Sequence, residues 1–166
     1  MAVVARELEN QQTWLELQLC KLKDVPKEHW LPAPIILKQA DCIEDAIEIV
    51  KEAFFVGAND PHRLETVVGD VCLRHCDIHH IVEKRLHARE RYASFAYNTV
   101  REPFEVWKTK YDNGDHAFSF VSLFDSKYQL VVKVRVWDEH VLWNFFHCET
   151  KSANKHRKGE LIYTKN

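Results

Sequence analysis

The sequence predicts an α+β fold in which N-terminal helices and one long helix pack on a four- to five-stranded antiparallel meander sheet. Apolar residues recur with helical spacing up to Pro103, and beyond it they alternate with polar residues as in a half-buried strand. Asn113 and Gly114 supply a hairpin signal between two of the alternating segments. The change in the spacing of apolar residues at Pro103, from helical to alternating, is therefore the main evidence for the fold class.

The chain has 166 residues, of which 46% are hydrophobic, and this is enough for one buried core. We expect residues 1–60 to form an N-terminal helical elaboration and residues 61–166 to form the main domain, together as one compact unit. No apolar run approaches the roughly 20 residues that cross a bilayer, and residues 1–23 lack the pattern of a secretion signal. We expect a cytoplasmic protein without a membrane partner.

Charge and cysteine content exclude some classes of protein. The net charge is −2, with acidic excess in residues 1–55 and a slight basic excess in residues 56–166, which excludes a histone-like protein but allows a local basic site. The five cysteines are widely spread, so we expect reduced thiols. Cys72 and Cys76 lie near histidines, but they lack the spacing of paired zinc ligands. We expect no metal and no cofactor.

The first part of the chain predicts two helices and one strand. Leucines at helical spacing predict an amphipathic helix over residues 5–22, and three prolines predict an extended connector over residues 25–34. A second helix is predicted from its cap, Asp41, to about residue 55. Residues 66–73 are rich in valine and predict a short strand.

The second part predicts the long helix and the sheet. The helix begins after its cap, Asp77, and runs to about residue 100, because Pro103 cannot continue it. The strands are predicted from alternation and turn signals at residues 104–110, 116–124, 130–137 and 141–149, with a fifth at 160–164.

Residues 74–91 are the most charged part of the chain and the first candidate site. Nine of these eighteen residues are Arg, Lys or His, and on a helix His80, Lys84 and Arg91 would share one face. RNA cleavage without a metal needs a base, an acid and cations that stabilise charge on phosphorus, and histidine and arginine suit these roles. The alternative interpretation is an ordinary solvated helix face.

Six residue strings together form a more specific pattern than any one of them. They are His80-Ile81 with Lys84-Arg85, Arg89-Glu90-Arg91-Tyr92, Pro103-Phe104-Glu105-Val106-Trp107, Leu130-Val131-Val132-Lys133-Val134, Leu142-Trp143-Asn144-Phe145-Phe146 and Lys158-Gly159-Glu160-Leu161-Ile162-Tyr163. Taken in order, they resemble the phage-type barnase/EndoU/colicin/RelE-like (BECR-fold) nucleases over about residues 64–165. The resemblance leaves residues 1–60 unexplained.

The resemblance implies an active site in the concave face of the sheet, beside the helix, that cuts RNA by transesterification and leaves a 2′,3′-cyclic phosphate. It implies that His80 is the general base or acid and that Arg85 holds phosphate. Tyr163 would donate a hydrogen bond or stack on a base. Asn144 stands where the family often has Thr or Ser, and its amide could donate to a phosphate oxygen.

Further residues complete the predicted site and its alternatives. We expect the substrate to be bound by Lys84, Arg89, Arg91 and Thr150. Tyr163 as a core residue and Asn144 as a solvent-facing strand residue are the alternative interpretations. Trp107, Trp137 and Trp143 are predicted as core or sheet-face residues, with a base-stacking platform as the alternative. His156, beside a turn, is predicted as an ordinary surface residue.

Three functions fit the sequence. The leading hypothesis is a metal-independent endoribonuclease that acts as a toxin, a defence effector or a phage-encoded enzyme. The second is a catalytically inactive nucleic-acid-binding module, which the residue at Asn144 would permit. The third is an interaction or inhibitor protein in phage–host conflict that uses its acidic N-terminal part. RNA is the expected partner, and a toxin would also have a cognate immunity or antitoxin protein.

Overall fold

The protein is built on one mixed sheet with its three longer helices on one of its faces. The structure is a computed structural model that describes residues 5–165. Within these residues the chain forms α1 (Ile43–Ala53), β1 (His62–Thr66), β2 (Gly69–Leu73), α2 (His75–Val82), α3 (Ala93–Arg101), β3 (Glu105–Lys110), β4 (His116–Val121), β5 (Tyr128–Val136), β6 (His140–Glu149), α4 (Thr150–Ala153) and β7 (Glu160–Thr164). None of the described helices is both long and apolar enough to span a bilayer.

The strand order across the sheet is β1-β2-β6-β5-β4-β3-β7. The predicted antiparallel meander is confirmed for β3 to β6, which pair with their neighbours in the chain. The predicted number of four to five strands is too small. β7 returns to pair with β3, and the β1-β2 hairpin joins β6 through a short parallel contact. β7 is the fifth strand predicted at residues 160–164, so the strands beyond the predicted number are β1 and β2. The β7-β3 and β2-β6 pairings both join parts far apart in sequence, which local patterns do not reveal.

Several local predictions are confirmed. α1 occupies most of the span predicted from Asp41, although its N-cap residue is Cys42 and no side chain caps it. α3 ends two residues before Pro103. The turn from β3 to β4 contains Gly114 at φ +88°, a left-handed conformation that glycine adopts without strain.

The helix predicted over residues 5–22 is wrong. Within this described segment the chain forms bridges and turns, with the Leu8 amide donating to the Lys110 carbonyl and the Trp14 amide donating to the Arg157 carbonyl. The segment therefore pairs with other parts of the fold through its backbone. This pairing outweighs a weak local helix propensity.

The single long helix predicted from Asp77 to about residue 100 is also wrong. α2 ends at Val82, two 3-10 turns follow, and α3 completes the span. Ala88 lies between the turns at φ +44°, outside the conformations of a right-handed helix. Asp77 does not cap the helix; it lies in the first turn of α2 and accepts hydrogen bonds from Arg74.

The strand predicted over residues 66–73 is the turn and second half of a hairpin. β1 and β2 pair in antiparallel register, and Gly69 begins β2 with φ +96°. The Thr66 hydroxyl donates to the Gly69 carbonyl and closes the turn. This hairpin carries β2 to its parallel contact with β6.

Apolar cores lie on both faces of the sheet. On the helix face, α1, α2 and α3 pack over strand residues such as Val132. On the second face, Leu22 and other N-terminal residues pack against Trp107. Successive strand side chains point to opposite faces, so Lys133 belongs to the second face. The N-terminal segment thus covers part of the face that carries the charged residues of β5.

Candidate active site

Arg85, the predicted phosphate ligand, is engaged with protein groups. Its two terminal nitrogens donate to the Glu90 carboxylate at 2.8 and 2.5 Å, and one also donates to the Ala40 carbonyl at 3.1 Å. Glu90 is fully buried. Burial acts to raise the pKa of Glu90, but the hydrogen bonds from Arg85 and from the Ala40 amide hold it below its usual value. Arg85 therefore ties the chain before α1 to the turns after α2.

Replacing Arg85 by methionine should destabilise the fold, because it leaves the Glu90 carboxylate buried without its cation. We expect the free energy of unfolding to fall by about 3 kcal/mol, as for other broken buried ion pairs. Urea unfolding measures the change. The matched control is Lys84→Met, since Lys84 is exposed, and it should leave stability unchanged. Equal stability of the two variants would contradict the structural role of Arg85.

His80 lies on the outer side of α2. Its Nδ1 is 3.1 Å from a carboxylate oxygen of Glu83, and its ring centroid is 4.9 Å from that of Trp143. Lys84 follows α2 and is exposed. The structure therefore does not place His80 and Arg85 around a common open space, since Arg85 turns toward Glu90.

Three of the predicted substrate-binding residues contact backbone carbonyl groups. Arg89 donates to Ile81 O at 3.4 Å, and Arg91 donates to Leu37 O at 3.3 Å. The Thr150 hydroxyl donates to carbonyl oxygens in the turn between β4 and β5. Each of the three side chains therefore makes a structural hydrogen bond within the fold. Their role in substrate binding stays a prediction.

Asn144 and Tyr163 lie on opposite faces of the sheet. Asn144 pairs in register with Lys133 on the second face, and its side-chain oxygen accepts from the Phe145 amide. Tyr163 pairs with Val106 and packs against the core of the helix face. The structure does not bring the two residues together, since three strands separate β6 from β7, and Tyr163 has the surroundings of a core residue.

A charged cluster that the sequence analysis missed lies beside Asn144. We call it the lysine cluster, and its members are Glu7, Ser119, Lys133, His156 and Lys158. Lys133 donates to the Ser119 hydroxyl at 2.6 Å and lies 3.3 Å from one oxygen of Glu7. The other oxygen of Glu7 is 2.5 Å from the Lys158 ammonium group. The Lys133 side chain is only 11% exposed, which is unusual for an ammonium group.

The titratable groups of the lysine cluster have shifted pKa values. Burial, followed by the charge of Lys133, lowers the pKa of His156 to about 4. Burial also lowers the pKa of Lys133, while Glu7 acts in the opposite direction. His156 is therefore neutral at neutral pH, and it is partly buried, with its ring centroid 5.1 Å from that of Phe146, rather than an ordinary surface residue. Shifted pKa values grouped in one place are typical of functional sites.

The shifted pKa of His156 predicts a pH dependence of stability. The folded imidazole stays neutral down to about pH 4, whereas the unfolded one binds a proton below about pH 6.5. The free energy of unfolding should therefore fall as the pH decreases through this window. Chemical unfolding at several pH values should show that the free energy of unfolding of His156→Gln depends less steeply on pH than that of the wild type. The exposed His79→Gln is the control. If the stability of His156→Gln depended on pH as steeply as that of the wild type, His156 would not be the source of this pH dependence.

Arg157 fixes the turn that holds His156 and Lys158. Its side chain is 1% exposed and donates to the Glu105 carboxylate at 2.6 and 2.9 Å. It also donates to the Cys20 carbonyl at 2.9 Å. Because His156 and Lys158 are its chain neighbours, this buried ion pair sets the position of both.

Gly159 permits the close approach of this turn to β3. A Cβ atom at Gly159 would lie 2.1 Å from the Lys108 carbonyl oxygen, and its φ is +106°. Any larger residue would therefore push the chain away from β3. Glycine at this position keeps Lys158 beside Glu7.

A line of cationic and aromatic side chains links the lysine cluster to α2. Arg135 follows Lys133 by two residues on β5, and its guanidinium carbon is 4.4 Å from the Tyr111 ring centroid and 5.7 Å from that of Trp143. Trp143 in turn contacts His80. His80 therefore lies near the far end of the surface that begins at Lys133.

The two cysteines that lie near histidines in the sequence, Cys72 and Cys76, have separate surroundings. Cys72 is buried and accepts a hydrogen bond from Arg63, whereas Cys76 is exposed. Among residues 5–165, no three His, Cys, Asp or Glu side chains lie close enough together to hold a metal ion. The expectation that the protein binds no zinc stays a prediction.

Comparison with protein-family models finds a match over residues 49–164, more than two thirds of the chain. The matched model is PBECR2, the phage-Barnase-EndoU-ColicinE5/D-RelE like nuclease2. The chain belongs to this family. No curated protein and no solved structure gives a significant match. Membership confirms the resemblance and indicates a nuclease, with nucleic acid as its substrate.

The PBECR2 match includes every strand of the sheet and most of the lysine cluster. Lys133, His156 and Lys158 lie within it, whereas Glu7 belongs to the N-terminal segment outside it. The sequence did carry a signal, since Lys133 and Arg135 alternate with valines in the middle of a strand. Alternation alone predicts a solvated face, and it gave no indication that residues from both ends of the chain would cover it.

Proposed function

We propose that this PBECR2 member is a metal-independent endoribonuclease whose active site is the lysine cluster. The supporting observation is a lysine that is 11% exposed, lies within the matched nuclease domain and shares Glu7 with Lys158, which is two residues from His156. Lys133 and Lys158 supply positive charge for a phosphate in the transition state. The neutral imidazole of His156 supplies a proton acceptor.

The proposed reaction needs only these side chains and the RNA itself. The 2′-hydroxyl oxygen attacks the adjacent phosphorus while its proton passes to His156. The bond from phosphorus to the 5′-oxygen breaks, and this oxygen takes a proton from the ammonium group of Lys133, whose pKa burial lowers. Lys158 and Arg135 bind the non-bridging oxygens. The products are a 2′,3′-cyclic phosphate and a free 5′-hydroxyl.

Glu7 occupies part of the proposed phosphate-binding site. Its carboxylate lies between Lys133 and Lys158, where the oxygens of a phosphate would bind. The backbone around it pairs with the end of β3 and the following turn, including a hydrogen bond from the Asp112 amide to the Arg6 carbonyl. RNA must therefore displace the Glu7 side chain or share the two lysines with it.

Replacing Glu7 by glutamine should tighten RNA binding, because it removes the anion that competes for Lys133 and Lys158. We expect an increase in affinity of roughly 3- to 10-fold, within the usual range for one charged contact. Glu9→Gln, an exposed neighbour on the same segment, is the control. Unchanged binding together with a hundredfold loss of cleavage would instead identify Glu7 as the proton acceptor.

The test of the function is incubation of the pure protein, in the presence of EDTA, with a mixture of RNA strands and separately with DNA strands of the same sequences. We expect cleavage of RNA alone, with cyclic-phosphate ends, because the attacking group is the 2′-hydroxyl. Binding without cleavage would favour the inactive binding module. Failure to bind either nucleic acid would favour the interaction protein.

We also propose a cytoplasmic role for the enzyme as a toxin, a defence effector or a phage-encoded nuclease. A toxin of this kind would need an immunity or antitoxin protein. Such a partner would place acidic side chains against the lysine cluster, because positive charge attracts carboxylates. Glu7 makes a contact of this chemical type within the chain itself.

A further inference from the structure

We propose that Trp137 and Trp143 form a stacking site for an unpaired nucleobase, so that the enzyme acts on single-stranded RNA. The inference rests on the proposed function and adds the class of substrate to it. It concerns two tryptophans beyond Arg135, which the cleavage step itself does not use.

Trp137 is an exposed aromatic residue held in a defined position. It is 42% exposed, and its ring centroid lies 5.6 Å from that of Trp143 with the planes 81° apart. An edge-to-face contact of this kind stabilises both rings. His80 supports Trp143 from the side of α2 at 4.9 Å. The exposed surface of Trp137 is therefore available to a ligand.

Two guanidinium groups flank the tryptophan pair. The guanidinium carbon of Arg74 is 5.6 Å from the Trp137 ring centroid, and that of Arg135 is 5.7 Å from the Trp143 centroid. Arg74 is itself held by Asp77 at 2.6 and 2.9 Å. Aromatic rings next to arginine are the usual surface on which unpaired bases stack, because every base has a π-face and the backbone is anionic.

The stacking site is aligned with the lysine cluster. Lys133, Arg135 and Trp137 occupy every second position along β5 and just beyond its end. Strand geometry separates successive members by about 7 Å. A nucleic-acid strand whose phosphate lies at Lys133 can therefore follow β5 past Arg135 to Trp137. In a duplex the bases are stacked inside the helix, so only an unpaired base can reach the ring.

Binding of two synthetic strands to the wild-type protein and to Trp137→Ala tests this inference. One strand is a 2′-O-methyl RNA octamer, which the proposed reaction cannot cut, and the other is an abasic strand with the same number of phosphates. Removing Trp137 should weaken binding of the octamer by roughly 5- to 100-fold, the effect of one lost stack, and should leave the abasic strand unaffected. Trp137→Phe should retain most of the affinity.

Phe55→Ala is the matched control, because Phe55 is 71% exposed and lies at the end of α1. It should bind both strands as the wild type does. If Trp137→Ala binds the octamer like the wild type, or loses both strands equally, the stacking site is refuted while the nuclease proposal stands. If the wild-type protein binds neither strand, both proposals fall together.

Discussion

Replacing Lys133 by methionine should lower the rate of RNA cleavage by roughly a hundred- to a thousandfold, as for other groups that stabilise charge in a transition state. The ammonium group of Lys133 lies at the centre of the lysine cluster, where it contacts both Ser119 and Glu7. Cleavage under saturating RNA measures the change. The methionine side chain is unbranched like that of lysine and one atom shorter, and it carries no charge.

The same substitution should leave the fold as stable as the wild type or more stable. A charged lysine in the sheet carries a desolvation cost, and burial accordingly lowers its pKa. Functional residues often show this combination of lost activity and retained stability. Lys127→Met, at an exposed lysine outside the cluster, is the control. Cleavage by Lys133→Met at the wild-type rate would show that the cluster is not the active site.

The second large effect concerns Arg157. Arg157→Met should reduce the free energy of unfolding by about 3–5 kcal/mol, because it leaves a buried carboxylate without its cation. Glu105 is 2% exposed, and among residues 5–165 its carboxylate would keep only the hydrogen bond from the Trp107 indole. The change would also remove the contact with the Cys20 carbonyl and loosen the N-terminal segment. Chemical unfolding measures the loss.

A double variant separates the buried charge from the loss of packing. Arg157→Met with Glu105→Leu should recover part of the lost stability, since neither side chain then carries a charge. The exposed neighbour Lys155 provides the control, and Lys155→Met should have little effect. A double variant that is less stable than Arg157→Met alone would contradict this account of the ion pair.

Local patterns predicted the centre of the sheet well. β3 to β6 were found because apolar and polar residues alternate and because Asn113 and Gly114 form a tight turn. The pairings of β7 with β3 and of β2 with β6 depend on contacts between distant parts of the chain. The helix breaks at Ala88, where an ordinary helix-forming residue adopts φ +44° within the surrounding fold. No residue at that position signals a break.

Contacts between distant parts of the chain also explain why the candidate site was not predicted from the sequence. The resemblance implied that Arg85 would hold phosphate, but its partners are Glu90 and the Ala40 carbonyl, and the latter lies 45 residues away. The lysine cluster combines the N-terminal segment, two central strands and the turn before β7. No spacing along the chain relates Glu7 to Lys133. The resemblance to a nuclease family could be recognised from sequence, whereas the grouping of its charged residues required the fold.

The central claim is that RNA is cut at the lysine cluster and not at the outer edge of α2. The most direct measurement compares RNA cleavage in EDTA by His156→Gln and His80→Gln at equal protein concentration. The account predicts a loss of roughly a hundred- to ten-thousandfold for His156→Gln, as for a lost general base, and only a small change for His80→Gln. Loss of cleavage in His80→Gln with full activity in His156→Gln would contradict it.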